Sequence, residues 1–276
     1  MDCRKWSKLA STDFRLKYNS EATVGNYTSQ VKSFLWKFNN YREPKEIPTQ
    51  EIKEWLLEAN TTNTRKHRLC ALRAFYKHTV RMPNKIQSIE YPRSEKKLPI
   101  VLSQEEMQRM FDACDNLKHK VILSLLYMCG LRVSELINLK WSHIDRSRMI
   151  VNIIQAKGNK DRQVGLSESI IPLLEKYYHE YKSVDYILNG QSSSQYSDRS
   201  VGEVIKQLAS KAGINKRVYT HLIRHCTFTH MVENGVDINL IQKIAGHSNV
   251  KTTAIYTHIS HNLISKIPSP LDAIKL

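Results

Sequence analysis

The stretch from Tyr91 to Pro99, Tyr-Pro-Arg-Ser-Glu-Lys-Lys-Leu-Pro, cuts the chain in two. Each proline lacks a backbone donor and pushes its predecessor toward extended conformations, so neither a helix nor a central strand runs through it. The charged residues between the prolines show no apolar periodicity. The segment therefore reads as an extended linker. Apolar residues recur at helical spacing on both sides of it. The sequence thus resolves into an N-terminal domain over 1–92, a linker over 93–99 and a C-terminal domain over 100–276.

In the first part, residues 1 to about 20 are polar and are expected to form a strand or an unpaired arm. From Ser20, Val24, Tyr27, Val31, Phe34, Leu35 and Phe38 recur at three- and four-residue steps, the mark of an amphipathic helix. After Pro44 and Pro48 a second helix opens, with Thr49 as N-cap and Ile52, Trp55 and Leu56 inward. A third, from about Thr62 to Val80, turns Leu69, Leu72, Phe75 and Tyr76 inward. Its other positions carry Arg65, Lys66, Arg68, Arg73 and Lys77. This is a short helical bundle with one basic face. A solvated helix surface is the bland reading of that face; a contact with a DNA backbone is the reading favoured by the chain's overall charge.

In the second part, Ser103 and Glu106 have the spacing of a capping box. The run Val121–Cys129 is a strongly apolar helix that stops at Gly130, and another helix starts near Ser134. Two extended stretches, Met149–Ile154 and Asp161–Leu166, flank Ala156-Lys157-Gly158-Asn159, a β-hairpin with a lysine at its tip. Helices follow at about 168–182, 199–212, 220–234 and 237–246, with Gly213 and Gly235 as natural ends. The fold class is mainly α with a small antiparallel β-sheet.

The chain of 276 residues carries 42 Lys+Arg against 26 Asp+Glu, a formal charge of +16. Up to Lys96 there are 19 basic and 10 acidic residues, and 23 and 16 beyond, so the surplus is spread over both parts. Such a distribution suits a polyanion gripped by the whole molecule; solubility is the competing reading. No apolar run is long enough for a transmembrane helix, and the N-terminus lacks the apolar core of a signal peptide. The cysteines (Cys3, Cys70, Cys114, Cys129 and Cys226) are odd in number and contain no C-x-x-C pair, which argues against a disulfide framework or a cysteine zinc site. A reducing, cytoplasmic compartment is expected.

Three segments carry the chemistry: Gly130-Leu131-Arg132-Val133-Ser134-Glu135-Leu136; His221-Leu222-Ile223-Arg224-His225; and Gly246-His247-Ser248-Asn249, followed by Thr252-Thr253 and Tyr256-Thr257-His258. Residues three apart share a helix face, which pairs His221 with Arg224 and Arg132 with Glu135. Converging arginines grip a phosphate through planar donors, and are most valuable when attack on phosphorus adds negative charge. A hairpin lysine can protonate a leaving alkoxide, and a tyrosine phenol can attack. Singly, each residue has an ordinary structural explanation; a lone Arg-x-x-Glu pair is usually a surface ion pair. The ordered combination is far more specific.

These motifs, Gly-Leu-Arg-Val-Ser-Glu-Leu, His-x-x-Arg-His and Gly-His-Ser-x-x-x-Thr-Thr-x-x-Tyr, resemble those of the tyrosine site-specific recombinases of the λ-integrase superfamily, close to the XerC/XerD-like group. The resemblance covers the helical part before the linker and, in detail, Leu98 to about Ser260. It implies that Arg132 and Arg224 bind the non-bridging oxygens of a scissile phosphate. It makes Lys157 the general acid for the 5′ oxygen, with Lys160 as fallback. His221 assists proton transfer at the tyrosine, His247 hydrogen-bonds the phosphate, and Tyr256 forms a 3′-phosphotyrosyl intermediate. Glu135 falls at the family's acidic position and orients its neighbours. Ile223 and Cys226 stand where Leu and Ser are more usual.

The resemblance also implies a helical, SAM-like core-binding domain before the catalytic domain, and a clamp of both around DNA. It implies double-stranded DNA recombination sites as partner and a tetramer on two such sites, a free monomer being compatible with it. No cofactor and no metal are expected. The family's additional arm-binding domain is expected to be absent. Ile264, Ile267, Leu271 and Ile274 in the C-terminal segment are expected to supply an apolar contact, in trans or in cis. Three alternatives stand beside this reading: a type IB topoisomerase-like enzyme that nicks and reseals, a non-catalytic DNA-binding protein on the same scaffold, and a metalloenzyme. The last rests on His221 and His225, whose i, i+4 spacing resembles zinc sites but lacks the glutamate of H-E-x-x-H.

Overall fold

A computed structural model describes residues 2–41, 43–93, 100–154, 161–190, 195–246 and 250–259, with the backbone alone for 250–251 and 257–259. It divides into two compact units, Met1–Lys96 and Lys97–Leu276.

Among the described residues the first unit holds four α-helices: α1 (Cys3–Lys17), α2 (Glu21–Lys37), α3 (Thr49–Leu57) and α4 (Thr62–His78). The opening residues, expected as a strand or an arm, are helix α1. Asp2 caps it by accepting from the Lys5 N–H, and its buried stripe is narrow: Cys3, Ala10 and Phe14, with Trp6 packed alongside. Single apolar residues three or four apart among charges gave too thin a periodic signal, but α2 supplies the surface that covers them. The helices meet in a core rich in aromatics. Phe34 packs edge-on against Trp55 at 5.3 Å and Tyr76 at 6.3 Å, and the Tyr76 hydroxyl donates to Pro44 O at 2.8 Å. A buried phenol with its hydroxyl satisfied is what such a core requires.

The basic face of α4 divides by use. Arg68 stacks 4.4 Å over the Trp55 ring and donates to Trp55 O at 2.8 Å. Arg73 stacks 4.2 Å over Tyr91 and donates to Ile89 O at 2.7 Å, tying down the chain that leads into the linker. Lys66 and Lys77 are exposed and Arg65 is half-buried.

The second unit begins with α5 (Gln104–Asp112), α6 (Leu117–Cys129) and the short α7 (Val133–Ile137). The Ser103–Glu106 capping box forms as the spacing predicts, with bonds of 3.2 and 2.8 Å. After a polar first turn, helix α6 is apolar from Val121 to Cys129 save for Ser124, and Val121, Ile122, Leu123, Leu125, Leu126 and Cys129 are buried. A sheet follows, in the order β1 (Ile144–Asp145), β2 (Ile150–Ile153), β3 (Arg162–Gly165), antiparallel throughout. The predicted hairpin is β2–β3; its tip, residues 155–160, lies outside the described residues. The short β1 was not read from the sequence. Then come α8 (Ile171–Tyr181), α9 (Asp198–Lys211), α10 (Thr220–Glu233), α11 (Ile238–Ala245) and α12 (Val250–Ile259). Helix α10 is central: Leu222, Ile223, Cys226, Phe228 and Val232 are buried, and Arg224 with them.

Candidate active site

Two left-handed helix ends organise the site. Gly130 (φ 56) closes α6 and Gly246 (φ 62) closes α11, a backbone conformation that only glycine adopts without strain. At Gly130 the fit is steric as well, since a Cβ there would lie 2.6 Å from Phe228 Cζ. The chain turns sharply after Gly130, so that Arg132 stands at the N-cap of α7 in extended conformation.

Arg132 is held twice by Glu135. Its backbone N–H donates to Glu135 Oε2 at 2.8 Å and its Nη1 to Glu135 Oε1 at 2.7 Å. The same carboxylate takes a two-pronged grip from Arg162 on β3, with Nη1 at 2.8 Å from Oε1 and Nη2 at 2.7 Å from Oε2. Arg162 Nε reaches Ile244 O at 2.6 Å. On α10, Arg224 is 1% exposed; its Nη1 donates to Gly130 O and its Nη2 to Ala245 O at 2.5 Å. The last carbonyls of a helix have no partner within it and sit at the negative end of its dipole. Two arginines therefore cap α11, and through Gly130 O one of them joins α6 to the same point.

Tyr256, on α12, is 2% exposed. Its ring lies 5.5 Å from that of Phe228 and 5.7 Å from that of His225, whose ring is in turn 4.7 Å from His221. Helix periodicity explains this: Arg224, His225 and Phe228 follow His221 by three, four and seven residues and so lie along one side of α10.

The electrostatics follow from packing three arginines around one carboxylate. Burial acts to raise the Glu135 pKa, but the bonds from Arg162 and Arg132 outweigh it and hold the value at about 2. Arg224 falls to about 10 through burial and the like charges of Arg132 and Arg162. Burial raises the Tyr256 phenol above 10.0, while Arg224 and Arg132 pull it down. His221 is exposed at its outer edge, yet the surrounding protein, Arg224 and Arg132 push it below 6.5. Burial, His221 and Arg224 take His225 to about 4. Both imidazoles are thus neutral near pH 7, and the site is rich in fixed positive charge.

The structure therefore brings together Arg132, Glu135, His221, Arg224 and Tyr256. Lys157, Lys160 and His247 lie outside the described residues. Among the described residues no three His, Cys, Asp or Glu side chains gather as metal ligands. A polar cavity of about 510 Å³, lined by Ser134, Asn138, Lys140, Ser142 and His143, opens beside Glu135. Sequence reading missed Arg162, and noted His225 only within its motif and as a zinc-like partner of His221, not as the ring beside Tyr256. The signal for Arg162 was present: β3 turns Arg162 and Val164 to the buried side, and an arginine at an inward strand position has to be paired.

Comparison with known proteins gives these features a family. Residues 101–262 match the Phage integrase family, and residues 8–86 match the Phage integrase, N-terminal SAM-like domain. A tyrosine recombinase of Pseudothermotoga lettingae is 31% identical over 87% of this chain and 88% of its own length. The tyrosine recombinase XerC of Staphylococcus epidermidis is 32% identical over 90% of each chain. Among solved structures, the XerA recombinase is 28% identical, with a TM-score of 0.57, over 96% of this chain and 97% of its own. A λ integrase tetramer bound to a Holliday junction shares the fold, with a TM-score of 0.77 at 17% identity over 92% of this chain and 76% of its own. The chain belongs to the phage integrase family of tyrosine recombinases. As such it is an enzyme that breaks and rejoins DNA strands.

Proposed function

We propose that the protein is a site-specific DNA recombinase or integrase working through a 3′-phosphotyrosyl intermediate. The observation that most supports this is the buried Tyr256 packed against α10, its ring 5.7 Å from that of His225 and 5.5 Å from that of Phe228, on the helix that carries His221 and Arg224. Arginine charge at such a site favours the extra negative charge on phosphorus in the transition state.

In this mechanism the Tyr256 oxygen attacks the scissile phosphorus while neutral His221 takes the phenolic proton. The bond from phosphorus to the 5′ oxygen breaks, and Lys157 hands that oxygen a proton. Arg132, Arg224 and His247 hold the non-bridging oxygens. The DNA is left with a 3′-phosphotyrosyl end and a free 5′-hydroxyl. Because one phosphate ester replaces another, the bond energy is kept, and rejoining needs no ATP. The arginines supply the positive charge that a metal ion brings to other phosphoryl transfers. Four protomers would act on two sites, each gripping DNA between its two domains. The even division of the basic surplus, +9 up to Lys96 and +7 beyond, supports a two-sided grip.

Trapping the covalent complex on candidate DNA tests this. The wild-type protein is expected to form a denaturation-resistant adduct in EDTA, and Tyr256→Phe to bind DNA without forming one. An adduct with Tyr256→Phe would overturn the assignment of the nucleophile, and loss of activity in EDTA would overturn the metal-free mechanism. Lys157→Ala should cleave slowly and recover on a 5′-bridging phosphorothiolate, whose leaving group needs no proton; no recovery contradicts the general-acid role. Exchange of strands between two sites separates a recombinase from a topoisomerase-like enzyme, which reseals only its own.

A further inference from the structure

Glu135 presents a problem of charge. It is ionised, and it bonds the arginine that has to hold a phosphate. A carboxylate paired one-to-one with Arg132 would cancel the charge the reaction needs. The structure contains the remedy in Arg162. Its two Nη atoms engage both oxygens of Glu135, while Arg132 uses one Nη and a backbone N–H.

Burial separates the roles. The side chains of Arg162 and Glu135 are 5% and 3% exposed, whereas that of Arg132 is 23% exposed. Arg162 is thus shut away from any DNA, and the group it touches is the Glu135 carboxylate that also holds Arg132. One carboxylate between two guanidiniums leaves one positive charge over, carried at the exposed member. Resting on the proposed function above, we propose that Arg162 is a positioning residue that neutralises Glu135 so that Arg132 keeps its charge for the scissile phosphate. Without Arg162, the Arg132 fork would close on both carboxylate oxygens, the preferred bidentate geometry, and turn from the substrate. Arg162 is placed for this by β3, where it pairs across from Ile153, and by its bond to Ile244 O at the end of α11.

The charge arithmetic gives the test a sign that packing alone does not. Arg162→Met removes the compensating charge; Arg162→Lys keeps it while losing the fork; Glu135→Gln combined with Arg162→Met restores the balance by deleting both charges. The first readout is the salt dependence of binding to a random-sequence duplex, measured in Tyr256→Phe protein. Each phosphate neutralised contributes about 0.9 to the slope of log K against log salt. Arg162→Met is expected to lose about one such unit although it touches no DNA. Arg162→Lys and the double variant are expected to keep the wild-type slope. The second readout is single-turnover covalent attachment with Tyr256 intact. Arg162→Met is expected to fall at least about ten-fold, the others much less, since a charge-assisted contact to the phosphate is at stake. The proposal is overturned if Arg162→Lys and the double variant both match Arg162→Met in slope, or if all match wild type. If Arg162→Met does not fold, Arg162→Gln, which keeps a polar contact to Glu135 but no charge, takes its place with the same expected loss of about one unit, and a wild-type slope in it overturns the proposal. Absence of any adduct in the wild-type protein would instead overturn the Tyr256 mechanism, leaving the salt slopes to judge Arg162.

Discussion

Gly130 and Gly213 adopt nearly the same left-handed backbone, φ 56 and 65, but only Gly130 has Phe228 where a side chain would go; around Gly213 nothing lies within 4 Å. Both alanine variants carry the backbone cost of roughly 1–2 kcal/mol. Gly130→Ala adds a clash at the carbonyl that holds Arg224. Thermal melts should therefore show a several-degree larger loss for Gly130→Ala than for Gly213→Ala, with cleavage impaired in the first alone; equal losses would contradict the steric argument. His221 yields a second prediction. Its folded pKa lies below 6.5, so the neutral, proton-accepting form is present above that value and lost as pH falls through the lowered one. Cleavage should be flat from pH 8 to about 6.5 and decline only at lower pH, with the acid limb disappearing in His221→Ala. A decline beginning above pH 7 would contradict the neutral assignment. Arg132, Glu135, Arg224 and Tyr256 were legible because short motifs with fixed spacing carry them. Arg162 was not, because an arginine in a short strand looks like an outward polar residue until the strand's buried side is known.

At the scale of the element, α10 has two working faces. One bears His221, Arg224 and His225. The other holds the start of the catalytic unit: the Cys226 thiol accepts from Leu102 N–H at 3.3 Å, and His230 Nε2 donates to Leu102 O at 2.9 Å while its Nδ1 accepts from the Tyr127 hydroxyl at 2.7 Å. Cys226 keeps the acceptor that a serine would supply, which gives that departure from the family pattern a structural role. His230 does both jobs only when neutral, and burial lowers its pKa from 6.5. The folded form then binds fewer protons than the unfolded chain, so stability is lost as pH falls through about 6.5. The catalytic unit should melt at lower temperature at pH 5.5 than at pH 7.5, and His230→Leu should reduce that difference; an unchanged difference would contradict the assignment. The long helices were legible because their stripes are wide and their caps explicit. Helix α1 and strand β1 were not, since one is sparsely apolar and the other two residues long.

At the scale of the whole molecule the basic surplus is not uniform in purpose. Arg68 and Arg73 are spent on Trp55, Ile89 and Tyr91, while Lys66 and Lys77 face solvent. Replacing Lys66 and Lys77 with alanine should lower the salt slope of DNA binding by up to about 1.8, two phosphates' worth, with the melting temperature unchanged. Arg73→Ala should do the reverse, lowering stability with little change in slope. The two-part organisation was legible from one proline-flanked stretch. Which basic residues stay free was not, because composition counts charges without showing their partners. The central claim is that Tyr256 itself joins the DNA. Digesting the trapped complex with protease and nuclease, then sequencing the modified peptide by mass spectrometry, addresses it most directly. The expected result is a nucleotide 3′-phosphate on Tyr256 and a 5′-hydroxyl on the released strand. A modified residue other than Tyr256, or a link to a 5′-phosphate, would contradict it.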